Sequence, residues 1–259
     1  MHGRAASTSV LPELTTSLSE ALDLGGSSQD QQGFSTIRKL GTGSSGLCYL
    51  MRRDDGSTCV QKRIPVSHIS MEDQEKVERE VNILAALDHP HIIRYERAFV
   101  RSGLLCIVME HASGGDLAAH LATLRREERS IPHEQVLDWF VQLLLALQHT
   151  HSYKVLHRDI ALKNIFLTGA NEVKLGDFGV ARVLSSTDEL AMTKVGTLSY
   201  VSPERCAGKP YSFESDVWGM GCLLYELLTL RPAFAAASIV ELVDRISRAQ
   251  LSEPLTGCS

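Results

Sequence analysis

The chain has 259 residues, 44 % hydrophobic and 22 % charged, with a formal net charge of −5. That composition suits a globular protein with one large domain or two lobes, and its mild acidity gives no reason to expect nucleic acid or an anionic membrane as a partner. No apolar run approaches the ~20 residues of a spanning helix, the opening MHGRAASTSV lacks the apolar core of a signal peptide, and glycine stands third rather than second, against the myristoylation pattern.

The first 33 residues are rich in Ser, Thr, Gly, Gln and Asp and poor in aromatics. SLSEALDL can form a short helix, but nothing nearby offers it a partner, so the segment reads as a disordered tail. From Phe34 the pattern changes. FSTIRKL and GLCYLMRR flank a glycine-rich turn, and TCVQKRI follows the hairpin signal Asp54-Asp55-Gly56. Then SMEDQEKVEREVNILAAL places Val77, Val81 and Leu84 at helical spacing, with Ser70 as N-cap and Pro90 as a stop. IIRYERAFV and LLCIVMEH read as two more strands. Beyond them HEQVLDWFVQLLLALQHTH, opened by Pro132, is apolar on most sides and is expected to be buried. SDVWGMGCLLYELLTL reads as a second buried helix ended by Pro232, and SIVELVDRISRAQ as an amphipathic third.

The six cysteines are Cys48, Cys59, Cys106, Cys206, Cys222 and Cys258. They form no CxxC pair and no zinc-finger spacing with histidine, so reduced, mostly buried thiols are expected, with Cys258 exposed.

Four groups of residues carry chemistry. Gly41 to Gly46, GTGSSG, is a GxGxxG turn. Both flanks read as strand, which is against a strand–turn–helix dinucleotide site and leaves either a tight turn without function or a hairpin whose small residues let backbone approach phosphates. Lys62 lies one strand later. Glu80 falls on the buried stripe of its helix and needs a cationic partner there; Lys62 is the natural one. HRDIALKN spans His157 to Asn164, and LGDFG brings Asp177 and Phe178. Asp159 can accept the proton of a hydroxyl, while Asn164 and Asp177 offer oxygen to a hard cation such as Mg²⁺. His157 and Phe178 are expected to stack as structure rather than bind metal. SPE, Ser202 to Glu204, completes the order.

With these motifs in this order the chain resembles a eukaryotic protein kinase, and more closely the NIMA-related (Nek) serine/threonine kinases. The residues behind the closer likeness are EREVNILAALDHPHIIRY, VMEHASGGDL, LDWFVQLLLALQHTH, NIFLT, KLGDFGVARVLSSTDELAMTKVGT and SDVWGMGCLLYELLTLRPAF. The resemblance implies a bilobal α+β fold: a tail over 1–33, an N-lobe of five strands and one helix over 34–110, and a mainly helical C-lobe over 111–259 that is truncated at its C-terminal end. It implies ATP and Mg²⁺ as cofactors, protein substrates bearing Ser or Thr, and no nucleic-acid or membrane partner. It also implies a cytoplasmic protein with centrosomal, ciliary or nuclear stations and roles in cell-cycle, centrosome or cilium regulation.

By the same resemblance Leu40, Gly41, Thr42, Gly43, Ser44, Ser45, Gly46, Leu47 and Cys48 cover ATP, and Val60 and Phe166 bound the adenine. Met109 is the gatekeeper, and the backbones of Glu110 and Ala112 meet the adenine edge. Lys62 holds the α- and β-phosphates. Thr193 matches the activating phosphosite, its phosphate pairing with Arg158. Thr197 matches the substrate shelf of serine/threonine kinases, Leu198 replaces the family's proline, and Asp216 braces the catalytic loop.

Two departures matter. Ala161 stands two places after Asp159, where serine/threonine kinases carry lysine; Lys163, two places further on, is expected to supply that charge. The family pattern also pairs Glu204 with an arginine from C-lobe helices beyond SRAQ, so Glu204 is expected to be an unpaired buried carboxylate. An ATP-dependent serine/threonine kinase is the leading reading. A pseudokinase or nucleotide-binding scaffold competes through Ala161 and the shortened lobe, and a tyrosine kinase competes through ALKN, against which GTLSY counts.

Overall fold

The structure is a computed structural model that describes residues 33–43, 46–66, 81–178 and 198–254. Five strands form one antiparallel sheet: β1 (Phe34–Gly43), β2 (Gly46–Arg53), β3 (Thr58–Pro65), β4 (Tyr95–Arg101) and β5 (Leu104–Glu110), in the order β1-β2-β3-β5-β4. Period-two alternation divides the sheet residues between two cores. Ile64, Ala98, Leu105 and Ile107 pack with Val81 of the helical stretch 81–86. Met51, Cys59, Phe99, Cys106 and Val108 pack on the other face. Arg53 answers Ser57 across the turn, with Asp55 accepting from the Ser57 N–H at 2.8 Å, so the hairpin expected at Asp54-Asp55-Gly56 is present.

IIRYERAFV does not form one strand. β4 begins only at Tyr95. Ile92, 1 % exposed, makes an isolated parallel bridge with Leu175 and joins the core of the second lobe. The Ile93 N–H donates to Leu175 O, and the Leu175 N–H to His91 O, both at 2.8 Å. Burial against the second lobe here outcompetes extension of the sheet, and the stretch becomes a seam between the lobes.

The second lobe contains α1 (Leu117–Arg126), α2 (His133–Ser152), the two-stranded ribbon β6 (Ile165–Leu167) and β7 (Val173–Leu175), the short α3 (Pro203–Cys206), α4 (Phe213–Thr229) and α5 (Ile239–Ser247). α1 is an element that the sequence reading lacks. Asp116 caps it by accepting from the Ala119 N–H at 2.8 Å, and Leu117, Leu121 and Leu124 form its buried stripe. The core joins these leucines to Trp139, Leu143 and Leu147 of α2 and to Met220, Leu223 and Leu227 of α4.

α2 is not buried on most sides. Val136, Trp139, Leu143, Ala146 and Leu147 face the core, but Leu137, Val141, Leu144 and Leu145 are 58 %, 52 %, 41 % and 46 % exposed. Val217 of α4 is also exposed. The helix is apolar all round, while the described elements pack against only one side of it.

Glu204 also departs from expectation. It is half-buried and accepts a hydrogen bond from Ser215 Oγ, at the start of α4. The carboxylate is neither buried nor unpaired, so the large penalty of a stranded internal charge does not apply. Ser215 further completes the capping box of α4 with Ser212.

The buried carboxylate that does tie elements together is Glu226 on α4. It accepts from the Tyr200 hydroxyl and pairs with Arg125 Nη2 at 2.6 Å. Burial and the neighbouring Glu226 charge push the Tyr200 phenol well up, so it stays a donor. Tyr200→Phe is expected to lower stability by about 1.5–3 kcal/mol, the range for a hydrogen bond to a charged group. Urea unfolding measures this; an unchanged midpoint would show that Glu226 needs only Arg125.

Candidate active site

The strand-flanked glycine turn is present: β1 and β2 pair up to Gly43 opposite Gly46. Gly46 has φ +151°, and a Cβ there would lie 2.2 Å from the Arg63 carbonyl oxygen, so only glycine fits. Cys48 and Lys62 are register partners across β2 and β3. Burial raises the Cys48 thiol pKa, with the Lys62 charge opposing, so the thiol is protonated. Ser44, Ser45, Glu80, Thr193 and Thr197 lie outside the described residues.

Lys62 is 5 % exposed and forms an ion pair with Asp177. The structure therefore gives Lys62 a carboxylate partner from the second lobe. Asp177 has φ +57°, a costly conformation for aspartate. The preceding Gly176 is closely packed: a Cβ there would meet Ile93 Cγ1 at 2.7 Å and the Phe166 ring at 3.0 Å. Phe166 thus lies beneath the approach to Asp177.

The segment joining the lobes is fixed from both sides. The Glu110 carboxylate pairs with Lys174 at 2.8 Å and accepts from the Arg94 N–H at 2.6 Å. The Glu110 N–H donates to the Arg94 carbonyl at 3.0 Å. His111 Nδ1 lies 2.9 Å from Thr58 Oγ1. Burial, and then the Arg38 charge, lower the His111 pKa, so the ring is neutral and can accept the threonine proton. Met109 opposes Val60 across β3 and β5, which places both at the inner edge of this segment. Ala112 follows in the loop before α1.

The loop from His157 to Asn164 is organised around Asp216. That carboxylate is fully buried and accepts from the His157 N–H at 3.0 Å, the Arg158 N–H at 3.0 Å and the Tyr211 hydroxyl at 2.7 Å. His151 Nε2 lies 2.8 Å from its other side. These bonds hold Arg158 at φ +67°. The His157 ring packs against Phe178 with centroids 4.6 Å apart, tilted by 59° rather than stacked as expected, and its Nε2 donates to the Gly176 carbonyl at 3.1 Å. Burial pushes its pKa down, against the pull of Asp216, so the ring is neutral, and its Nδ1 accepts from the Asp159 N–H at 3.3 Å.

Asp159 sits at the end of this scaffold. Lys163 Nζ approaches its Oδ2 to 2.9 Å, and Asn164 Nδ2 donates to its main-chain carbonyl at 2.7 Å. Burial raises the Asp159 pKa, but the Lys163 charge and hydrogen bond outweigh it, and the net position is below the ordinary carboxylate range. Because Asn164 uses its amide nitrogen inward, its carbonyl oxygen is left for a cation. Ala161 is 3 % exposed and brings no charge.

Asn164 and Asp177 offer hard oxygen donors, the chemistry Mg²⁺ takes, and Mg²⁺ keeps water and phosphate for its remaining positions. Among the described residues no cluster of three or more His, Cys, Asp or Glu could hold a metal ion by itself.

An aspartate paired with Lys163, a buried lysine paired with a carboxylate of the second lobe and a strand-flanked glycine hairpin are the parts of the candidate site. The family model for the protein kinase domain matches residues 34–254. The chain belongs to the protein kinase family. This kinase domain is 46 % identical to mouse serine/threonine-protein kinase Nek1 over 211 residues, covering 81 % of the chain and 17 % of that protein. It is 40 % identical to human Nek5, over 87 % of the chain and 32 % of that protein, and 40 % identical to mouse Nek4, over 85 % and 28 %. The kinase domain is thus of the Nek type, and the chain spans about a third or less of the length of these three relatives. No helix among its described residues is long and apolar enough to cross a membrane.

Proposed function

We propose that this kinase domain transfers the γ-phosphoryl group of ATP to serine or threonine hydroxyls of proteins. The observation that carries the reading is Asp159, its carboxylate held below the ordinary range beside Lys163 and its loop braced by Asp216 and Asn164, in one chain with the ion pair of Lys62 and Asp177. The bond from the γ-phosphorus to the ADP oxygen breaks, and ADP leaves with its electron pair. The bond from the substrate oxygen to phosphorus forms, and the hydroxyl proton passes to Asp159. Mg²⁺ bound by Asn164 and Asp177 would supply neutralisation of phosphate charge. Lys62 orients the α- and β-phosphates, with Glu80 as its second partner, and the hairpin from Leu40 to Cys48 excludes water above them. Val60, Met109, Phe166, Glu110 and Ala112 shape the adenine site.

The test is phosphate transfer from ATP with Mg²⁺ to mixed Ser, Thr and Tyr peptides. Incorporation into Ser and Thr supports the reading. Incorporation into Tyr alone would make the domain a tyrosine kinase, and nucleotide binding without transfer would make it a scaffold, the reading that Ala161 favours.

Thr193 is the proposed activating phosphosite. A dianionic phosphate there orders its loop through charge-assisted hydrogen bonds to Arg158. Phosphorylated protein is expected to turn over faster than Thr193→Ala; equal rates would remove Thr193 from the regulation. The family resemblance supports a setting in cell-cycle, centrosome or cilium regulation, to be read from the location of the tagged protein in dividing and ciliated cells.

A further inference from the structure

We propose that Lys163 supplies the cation for the transferring phosphoryl group, in place of the side chain that Ala161 lacks, so that the catalytic cation of this domain enters from the far side of Asp159. The proposal rests on the kinase reading above.

The local fold separates the candidates. A single 3₁₀ turn over Leu162–Asn164 follows the extended Ala161, and the Asn164 N–H closes it on the Ala161 carbonyl at 2.9 Å. Ala161, Leu162 and Asn164 turn inward, with exposures of 3 %, 5 % and 3 %. Lys163 alone of the four turns outward; its side chain is 48 % exposed and its ammonium lies 2.9 Å from Asp159 Oδ2. The carboxylate it touches is the one that receives the substrate proton, so the ammonium stands beside the point where the hydroxyl attacks. Asp159 and Asp177 bring two negative charges to the phosphates, and the lysines that answer them are Lys62 on Asp177 and Lys163 on Asp159. Lys62 lies on the nucleotide side, which leaves Lys163 for the transferring group and the incoming oxygen.

Two roles must be told apart. A lysine that only keeps Asp159 ionised acts through the base, and its loss raises the pKa of Asp159. A lysine that neutralises the phosphoryl group is missed at every pH. The experiment uses the full chain, ATP with Mg²⁺ and an accepting Ser/Thr peptide, with kcat and KM measured from acid to alkaline pH. Lys163→Ala is expected to lower kcat by about 10²–10³, the loss for one preorganised donor at developing charge. The acid limb of its profile is expected to move upward, the alkaline plateau to stay low, and KM for ATP to change little. Lys163→Arg is expected to retain most of kcat, and Ala161→Lys in the Lys163→Ala background to restore much of it. Unchanged kcat in Lys163→Ala overturns the proposal. Full recovery at alkaline pH also overturns it and makes Lys163 a positioning residue for the base. Failure of Ala161→Lys to restore any turnover shows that the charge is not exchangeable between the two positions and overturns it too. If the wild-type chain binds ATP but phosphorylates no hydroxyl, the kinase reading itself fails and the proposal falls with it.

Discussion

Asp159→Asn is expected to lower kcat by about 10²–10⁴, the share that a positioned general base contributes, while leaving nucleotide affinity nearly unchanged. Asparagine matches the shape of the side chain but cannot take the hydroxyl proton. The scaffold should survive the change, because Asn164 bonds the main-chain carbonyl at position 159 rather than its carboxylate, and Asp216 holds the two preceding N–H groups. Among the described residues the ion pair lost is the half-exposed one to Lys163. Steady-state phosphotransfer and titration with a fluorescent ATP analogue separate the two effects. A variant retaining most of the wild-type kcat would mean that another group takes the proton.

Asp216→Ala is expected to cost about 3–5 kcal/mol of folding stability, the range for removing one partner of a buried charged arrangement. A typical domain has only about 5–15 kcal/mol in total, so much of the molecule would unfold at physiological temperature. The side chain is fully buried, and its removal takes one hydrogen-bond partner each from the His157 and Arg158 N–H groups, the Tyr211 hydroxyl and His151. Arg158 would lose the bonds that keep its backbone at positive φ. Denaturant unfolding reports the loss directly. A cost below about 1 kcal/mol, the scale of a single ordinary hydrogen bond, would show that water replaces the carboxylate and that the loop is held elsewhere.

The sequence makes the catalytic-loop motif and the first three strands legible because both are local signals. HRDIALKN and LGDFG carry their chemistry within a few residues, and β1 to β3 are bounded by glycine turns. What stays hidden is what depends on distant partners. Nothing in the neighbourhood of Tyr211 or His151 announces that both converge on Asp216. Likewise, IIRYERAFV has the composition of one strand, yet Ile92 is drawn away by Leu175, far along the chain. The exposed side of α2 shows the converse limit: Leu137, Val141, Leu144 and Leu145 are as apolar as the buried side, so composition alone cannot say which face is covered. α1 is different, since Leu117, Leu121 and Leu124 behind a capping Asp116 were readable as a helix from spacing alone.

The ion pair between Lys62 and Asp177 makes nucleotide entry an exchange of counter-ions rather than the filling of a bare charged cleft. In the proposed mechanism Lys62 would leave a carboxylate for phosphate, and Asp177 would leave an ammonium for the divalent ion. Added salt screens the pair that must open as well as the contacts that replace it. Affinity for ATP should therefore fall with ionic strength less steeply than the charges of the ligand alone suggest. Lys62→Met would leave Asp177 without its resident cation, and its divalent-ion affinity in the absence of nucleotide should rise. A calorimetric titration with Mg²⁺ alone would show whether that lysine is a placeholder for the metal as well as a clamp for the phosphates.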